Sequence, residues 1–285
     1  MSVLRFLLPI ALILTGCSGS SDTDTDTGTS ADIGADIGTD TSADTGTDTS
    51  ADTGTVDNSI LFHAIVTNGF TTQPIQGGEF CVLEPEQDSE PCGTTDSDGI
   101  VDWLWLSPTT SNFTSRFSHE DYTTMLYMGR WNDTVADFFA EELETEGKIT
   151  TNFVAFTTPV MNNWLAGGGI TPESGLGHIF IFVNGTDSDV ALDGIKASLS
   201  DGSGTVVYWI NALSLNAALG ASSWVGHFII ANVAPGTYTV NIEHDSLECD
   251  NGFVWLNETP NQFPVPVEAD TVTRAGILCS DSAGD

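Results

Sequence analysis

The sequence predicts an all-β protein: two small antiparallel β-sandwiches behind a disordered acidic N-terminal tether. Three observations predict it. Beyond residue 58, short apolar runs recur roughly every 8–12 residues with turn signals between them, a spacing that suits a sandwich and not a βαβ fold. Before that point, residues 18–58 are small or polar apart from Ile33, Ile37 and Val56. Finally, 40% of the 285 residues are apolar, too many for a wholly disordered chain.

The first segment, residues 1–16, reads as a signal peptide. Arg5 precedes the apolar run Phe6 to Leu14, which is too short to span a bilayer as a helix. Its end, Leu14-Thr15-Gly16-Cys17, resembles the lipobox of bacterial lipoproteins. The resemblance implies cleavage before Cys17, a diacylglyceride on its thiol, and a membrane anchor of several acyl chains. Ser18, in place of Asp, implies sorting to the outer membrane, on its surface or its periplasmic face. The plainer reading is an ordinary signal peptide with an incidental cysteine.

Residues 17–58 then form the lipidated cysteine and its tether. Ten Asp fall here without a single Lys, Arg or Glu, and Thr-Ser-Ala-Asp-Thr-Gly-Thr-Asp at 41–48 nearly recurs from 49. Without aromatics or a periodic apolar face, this stretch cannot offset the entropy of ordering. As a coil its ends lie roughly 35–40 Å apart. The spacing Asp-x-Asp recurs, but the bidentate Glu of an ordered calcium loop is missing.

The formal net charge of −34 argues against nucleic acid or an anionic lipid surface as partner. Setting aside the ten tether Asp and Arg5 leaves 30 acidic and 5 basic residues, a net of −25 on the folded part. Such a surface accepts a neutral or cationic partner, or one bridged by divalent ions.

The first module spans 59–130. Leu61, His63 and Ile65 alternate with Phe62, Ala64 and Val66; Phe80 to Leu83 and Ile100 to Leu106 are further runs, and Phe113, Phe117 and Thr123 to Met128 complete it. Residues 131–176 read as a junction partly packed on the first module. It holds a short helix over Asp133 to Glu144 and a second with Thr158 as N-cap and Pro159 at its first position. The second module, 177–280, carries strands at 177–183, 195–199, 205–210, 224–233, 237–243, 252–256, 263–267 and 271–278.

Within it, Asp193-Gly194-Ile195, Gly226-His227-Phe228 and Asn232-Val233-Ala234-Pro235-Gly236-Thr237-Tyr238-Thr239-Val240 resemble the carboxypeptidase regulatory-like domains. The resemblance implies a prealbumin-like (Ig-like) sandwich with an inward tyrosine after a Pro-Gly turn, and no catalytic residues. Residues 60–128 resemble a divergent copy, with Ser118-His119-Glu120-Asp121 where the other has Pro-Gly.

Cys17 aside, four cysteines remain: Cys81, Cys92, Cys249 and Cys279. An even number in an exported chain points to two disulfides, with three connectivities open. Pairing within each module gives Cys81–Cys92 and Cys249–Cys279.

No nucleophile–base constellation stands out, so the sequence reads as non-enzymatic. Two acidic loops are candidate calcium sites: Asp96, Asp98 and Asp102, and Asn184, Asp187, Asp189 and Asp193. Turn preferences favour solvated Asp-Gly turns as the plainer reading of both, and no other cofactor is implied. Seven Trp are many for this length, and outward pairs could stack on sugar rings. The function expected is a non-catalytic surface lipoprotein for adhesion or ligand binding, its partners the membrane, carbohydrate or an envelope protein. The alternatives are a structural spacer in an envelope complex and a calcium-dependent accessory module of a secreted hydrolase system.

Overall fold

β1 (Ile60–Asn68) is the middle strand of a three-stranded sheet and sets the pattern of the first sandwich. Its alternation buries Phe62, Ala64 and Val66 and leaves Leu61, His63 and Ile65 half-buried on the outer face. These findings come from a computed structural model, which describes residues 60–84, 92–105, 112–130, 140–186, 189–211, 214–250 and 259–282. The signal peptide, the tether, the 252–256 run and the start of the helix expected from Asp133 lie outside the described residues.

Beside β1 lie β4 (Ile100–Trp105), antiparallel, and β7 (Lys148–Ala155), parallel. The facing side is built by β2 (Glu79–Glu84), β3 (Cys92–Thr94), β5 (Asn112–His119) and β6 (Tyr122–Arg130). Between the sheets is an aromatic core, in which Phe62 stacks on Trp103 at 4.4 Å and Phe80 meets Phe153 at 4.7 Å.

β7 falls in the stretch read as a junction, yet it is a strand of the first sandwich. Thr151 is the reason it escapes the pattern. It takes the position beside inward-facing Ala64, between Ile149 and Phe153, and so breaks the apolar alternation. Ahead of β7 is helix α1 (Ala140–Glu146), and after it α2 (Thr158–Gly167), whose N-cap position is Thr157 and not Thr158.

The second sandwich packs β9 (Lys196–Leu199), β13 (Gly236–Glu243) and β15 (Gln262–Val267) on a larger sheet. That sheet contains β8 (Gly177–Gly185), β10 (Thr205–Asn211), β11 (Ser214–Asn216), β12 (Phe228–Val233), β14 (Leu247–Asp250) and β16 (Thr271–Asp281). The run read as a strand from Trp224 starts four residues later, because Gly226 at φ +75° turns the chain first.

β8 and β12 are apolar on both faces, and the reason is visible. Ile179, Ile181, Phe228 and Ile230 face the second core, whereas Phe180 and Ile229 belong to the first core beside Met161, Trp164 and Leu165 of α2. Trp164 lies 4.6 Å from Trp209 of β10 and 4.9 Å from Phe156. Helix α2 thus fills the angle between the sandwiches, within the stretch read as a junction partly packed on the first.

β16 is the seam. It runs parallel to β8 along Val272–Cys279, and its first four residues pair in parallel with Thr124–Tyr127 of β6. β14 takes up the same edge further along, at Leu278–Asp281. One ten-stranded sheet, ordered β11-β10-β12-β8-β16-β6-β5-β2-β3, therefore runs through both sandwiches, with β14 beside β16. Residues Gly54–Asp285 form one compact unit. The sandwiches are antiparallel apart from the β1–β7, β8–β16 and β6–β16 pairings.

Candidate functional site

The four cysteines pair within each sandwich, Cys81 with Cys92 and Cys249 with Cys279, each across directly opposed strand positions with Cα atoms 4.0 Å apart. Cys92 is exposed on the short strand β3, whereas Cys249 and Cys279 are buried completely.

In the first acidic loop Asp96 is occupied with the loop's own backbone. One Asp96 carboxylate oxygen accepts the amides of Asp98 and Ile100, both at 2.9 Å, which closes the turn before β4. Gly99 in that turn has φ +74°, and a Cβ there would come 2.5 Å from the Val66 carbonyl oxygen. Asp102 instead faces His63 across β4 and β1, with its carboxylate 2.5 Å from Nδ1. In the other loop Asn184, Asp189 and Asp193 are exposed, and Asp187 lies outside the described residues. Among the described residues, neither loop brings three carboxylate, imidazole or thiol ligands within 4.8 Å of one another. Glu79, Cys81 and Cys92 do so, but the two sulphurs are bonded to each other.

Each histidine has a structural partner. His178 and His227 accept backbone amides at Nδ1, from Asn232 at 3.2 Å and from Val183 at 3.1 Å. The first of these amides belongs to a β12 residue with φ +55°, where the β8–β12 register shifts. Burial pushes both imidazoles towards the neutral form; for His227, with Arg274 close by, the pKa drops to about 4. His119 Nδ1 accepts the Asp121 amide, and His244 Nδ1 accepts that of Ser246 while Nε2 reaches the Asp193 carbonyl oxygen at 3.0 Å.

Sequence reasoning passed over Arg274. It sits at the seam with its guanidinium 4.7 Å from the Phe182 ring centroid, and its Nε is sealed from solvent with no hydrogen-bond partner among the described residues. Burial holds its pKa below the usual arginine value and drives that of Tyr127, opposite it, upwards. The only trace in the sequence is one Arg in the apolar run 271–278.

The tryptophans divide. Trp103 is half-buried on Phe62 and Phe80, Trp164 and Trp209 are buried, and the side chains of Trp105, Trp131 and Trp255 lie outside the described residues. Trp224 alone among the described tryptophans is open to solvent, 69% exposed. It stands on the loop between β11 and β12, whose neighbouring residues are held firmly. Ser222 donates to the Leu192 carbonyl at 2.6 Å and accepts the Ile195 amide at 2.9 Å. Ser223 donates to the Trp209 carbonyl at 2.6 Å, and the Gly226 amide closes back on Ser223 at 2.9 Å.

The tyrosine named by the motif reading, Tyr238, is half-buried against the second core, and its hydroxyl donates to the Ala234 carbonyl at 2.9 Å. No family model matches the chain, and no curated protein does. Solved structures overlap it weakly. The minor pilin GBS52 of Streptococcus agalactiae has 10% identity and a TM-score of 0.26, covering 79% of this chain and 98% of that one. The shaft pilin SpaA of Lactobacillus rhamnosus GG has 14% identity and a TM-score of 0.23, covering 80% and 98%. A streptococcal ancillary pilin has 12% identity and a TM-score of 0.23, covering 79% and 63%. Overlaps this slight carry no argument about what the chain does.

Proposed function

We propose that this is a non-catalytic lipoprotein of the bacterial outer membrane that displays a rigid pair of β-sandwiches on an acidic tether to bind a ligand outside the membrane. The observation that carries the reading is the seam. Pairing of Thr271–Arg274 with Thr124–Tyr127 makes one sheet of two sandwiches, each with its own disulfide. A body of that kind suits presentation of a fixed surface. The lipobox-like Leu14-Thr15-Gly16-Cys17 and the ten-Asp tether provide the anchor and the reach.

The structural role of the titratable side chains agrees with this. The histidines hold bulges and turns, and Asp96 builds a turn. Globomycin, which blocks the lipoprotein signal peptidase, tests the anchor. Wild-type chain accumulates as an acylated precursor, whereas Cys17→Ser takes no acyl label. A Cys17→Ser chain that still carries acyl label contradicts the assignment.

A further inference from the structure

Trp224 is the most exposed of the large apolar side chains described, and hydrogen bonds tie the residues around it. An indole left in water on a loop free to fold inward would collapse onto the nearest apolar surface. Here hydrogen bonds of Ser222, Ser223 and Gly226 fix the backbone on both sides of the residue that carries the ring.

Two segments with exposed side chains are tied to this loop. The Gly194 amide donates to the Ser222 carbonyl at 2.9 Å, which ties the exposed Asp193 to this loop; His244 holds the Asp193 carbonyl from the other side. Ser223 grips the carbonyl of Trp209, and the next residue, Ile210, is 37% exposed. The loop that carries the exposed indole is thus tied through its backbone to segments that carry an exposed Ile210 and an exposed Asp193.

We propose that the Trp224 loop is a stacking platform for a pyranose ring of a neutral glycan, with the Asp193 carboxylate accepting ring hydroxyls. This rests on the reading of the chain as a binding module. Patch size selects the ligand class. A stable protein interface needs about 800 Å² from each partner around an apolar centre. The other exposed large apolar residues described, Phe70 and Leu104, stand on the first sandwich, after β1 and on β4. One exposed indole matches the C–H face of a sugar ring, and pre-organisation of the loop favours a small rigid ligand. Charge selects neutrality, since a net of −25 repels an anionic polysaccharide.

The test is isothermal titration of the full chain in detergent with cellohexaose, mannohexaose and chitohexaose. At least one binds wild type. Trp224→Ala loses about tenfold or more in affinity, as removal of an aromatic anchor does. Trp224→Tyr retains part of it, Asp193→Asn loses several-fold, and all variants unfold at the wild-type midpoint. Equal binding by Trp224→Ala, or no binding of any of the three by wild type, overturns the platform. The wider reading fails separately, when the chain is found unacylated or enclosed inside intact cells.

Discussion

Arg274 of β16 stands opposite Tyr127 of β6 in the parallel register that joins the two sandwiches. Its charge is held there by the Phe182 ring, with Glu268 engaged instead with Arg116 at 3.7 Å. Arg274 is half-buried with its Nε sealed and unpaired among the described residues, and an apolar side chain of similar length replaces such a group at little loss or at a gain. Arg274→Met is therefore expected to raise stability by about 1–2 kcal/mol. The same change removes a positive neighbour of His227, so the His227 pKa rises from its value of about 4. Denaturant titration and imidazole NMR measure the two effects; a destabilised variant with an unmoved His227 contradicts the account.

The seam also predicts cooperativity. Two separately stapled modules would melt in two steps. One sheet through both, with Trp164 of α2 packed on Trp209 and Phe156, couples them. Calorimetry of the full chain is expected to show a single transition with matching calorimetric and van't Hoff enthalpies. Two resolved transitions would mean that the seam transmits no stability.

His227 sets an acid dependence whose sign follows from its depressed pKa. In the unfolded chain it titrates near 6.5, in the fold near 4. Above pH 6.5 both states hold it neutral and its contribution is complete. As pH falls from 6.5 to 4 the unfolded chain binds a proton that the native state refuses, and stability declines by up to about 3 kcal/mol. His178, lowered by burial against an opposing pull from Asp270, acts in the same direction. Since surface carboxylates titrate in both proteins, the informative quantity is wild type minus His227→Gln. That difference shrinks between pH 7 and 4; parallel curves contradict it.

The disulfides differ in access. Cys92 is exposed, while Cys249 and Cys279 are wholly buried. Native-state treatment with dithiothreitol and iodoacetamide is expected to label Cys81 and Cys92 first. In the chain-entropy account, losing the two bridges costs about 3 and 3.5 kcal/mol respectively. Earlier labelling of Cys249 and Cys279 would contradict the burial described.

Gly99 and Gly202 form a matched pair for backbone strain. Both have positive φ, +74° and +72°, but only at Gly99 does an added Cβ meet backbone, 2.5 Å from the Val66 carbonyl oxygen. Gly202→Ala is expected to cost about 1 kcal/mol, the left-handed penalty alone. Gly99→Ala costs that and a clash, more than about 2 kcal/mol. Equal midpoints for the two variants would contradict this.

Much of the fold is legible locally. The alternation around Phe62 and Val66 is period two, and Tyr238, Val240 and Ile242 repeat it in β13, because each strand has one buried face. The cysteine pairs are readable because each lies within one run of neighbouring strands. β7 is hidden by Thr151, an inward position with a polar side chain. The β6–β16 pairing joins residues far apart in sequence, and four parallel positions leave no local mark. The candidate site divides the same way. The count of tryptophans raised stacking as a function, but the run from Trp224 to Val233 reads as one strand. Only the positive φ of Gly226 and the serine hydrogen bonds reveal a loop with the indole outside. The carboxylates of the first acidic loop, by contrast, mark a turn as much as a ligand set.

Protease shaving of intact cells tests display on the outer membrane most directly. The tether has no Lys or Arg, so the protease must be one without a basic requirement, such as proteinase K. If the account holds, it releases the sandwiches from wild-type cells as a single fragment cut within the tether with both internal disulfides intact, while Cys17→Ser chain is found in the periplasm or medium without cleavage at the membrane. Full-length wild-type protein that stays resistant until the outer membrane is opened would contradict surface display.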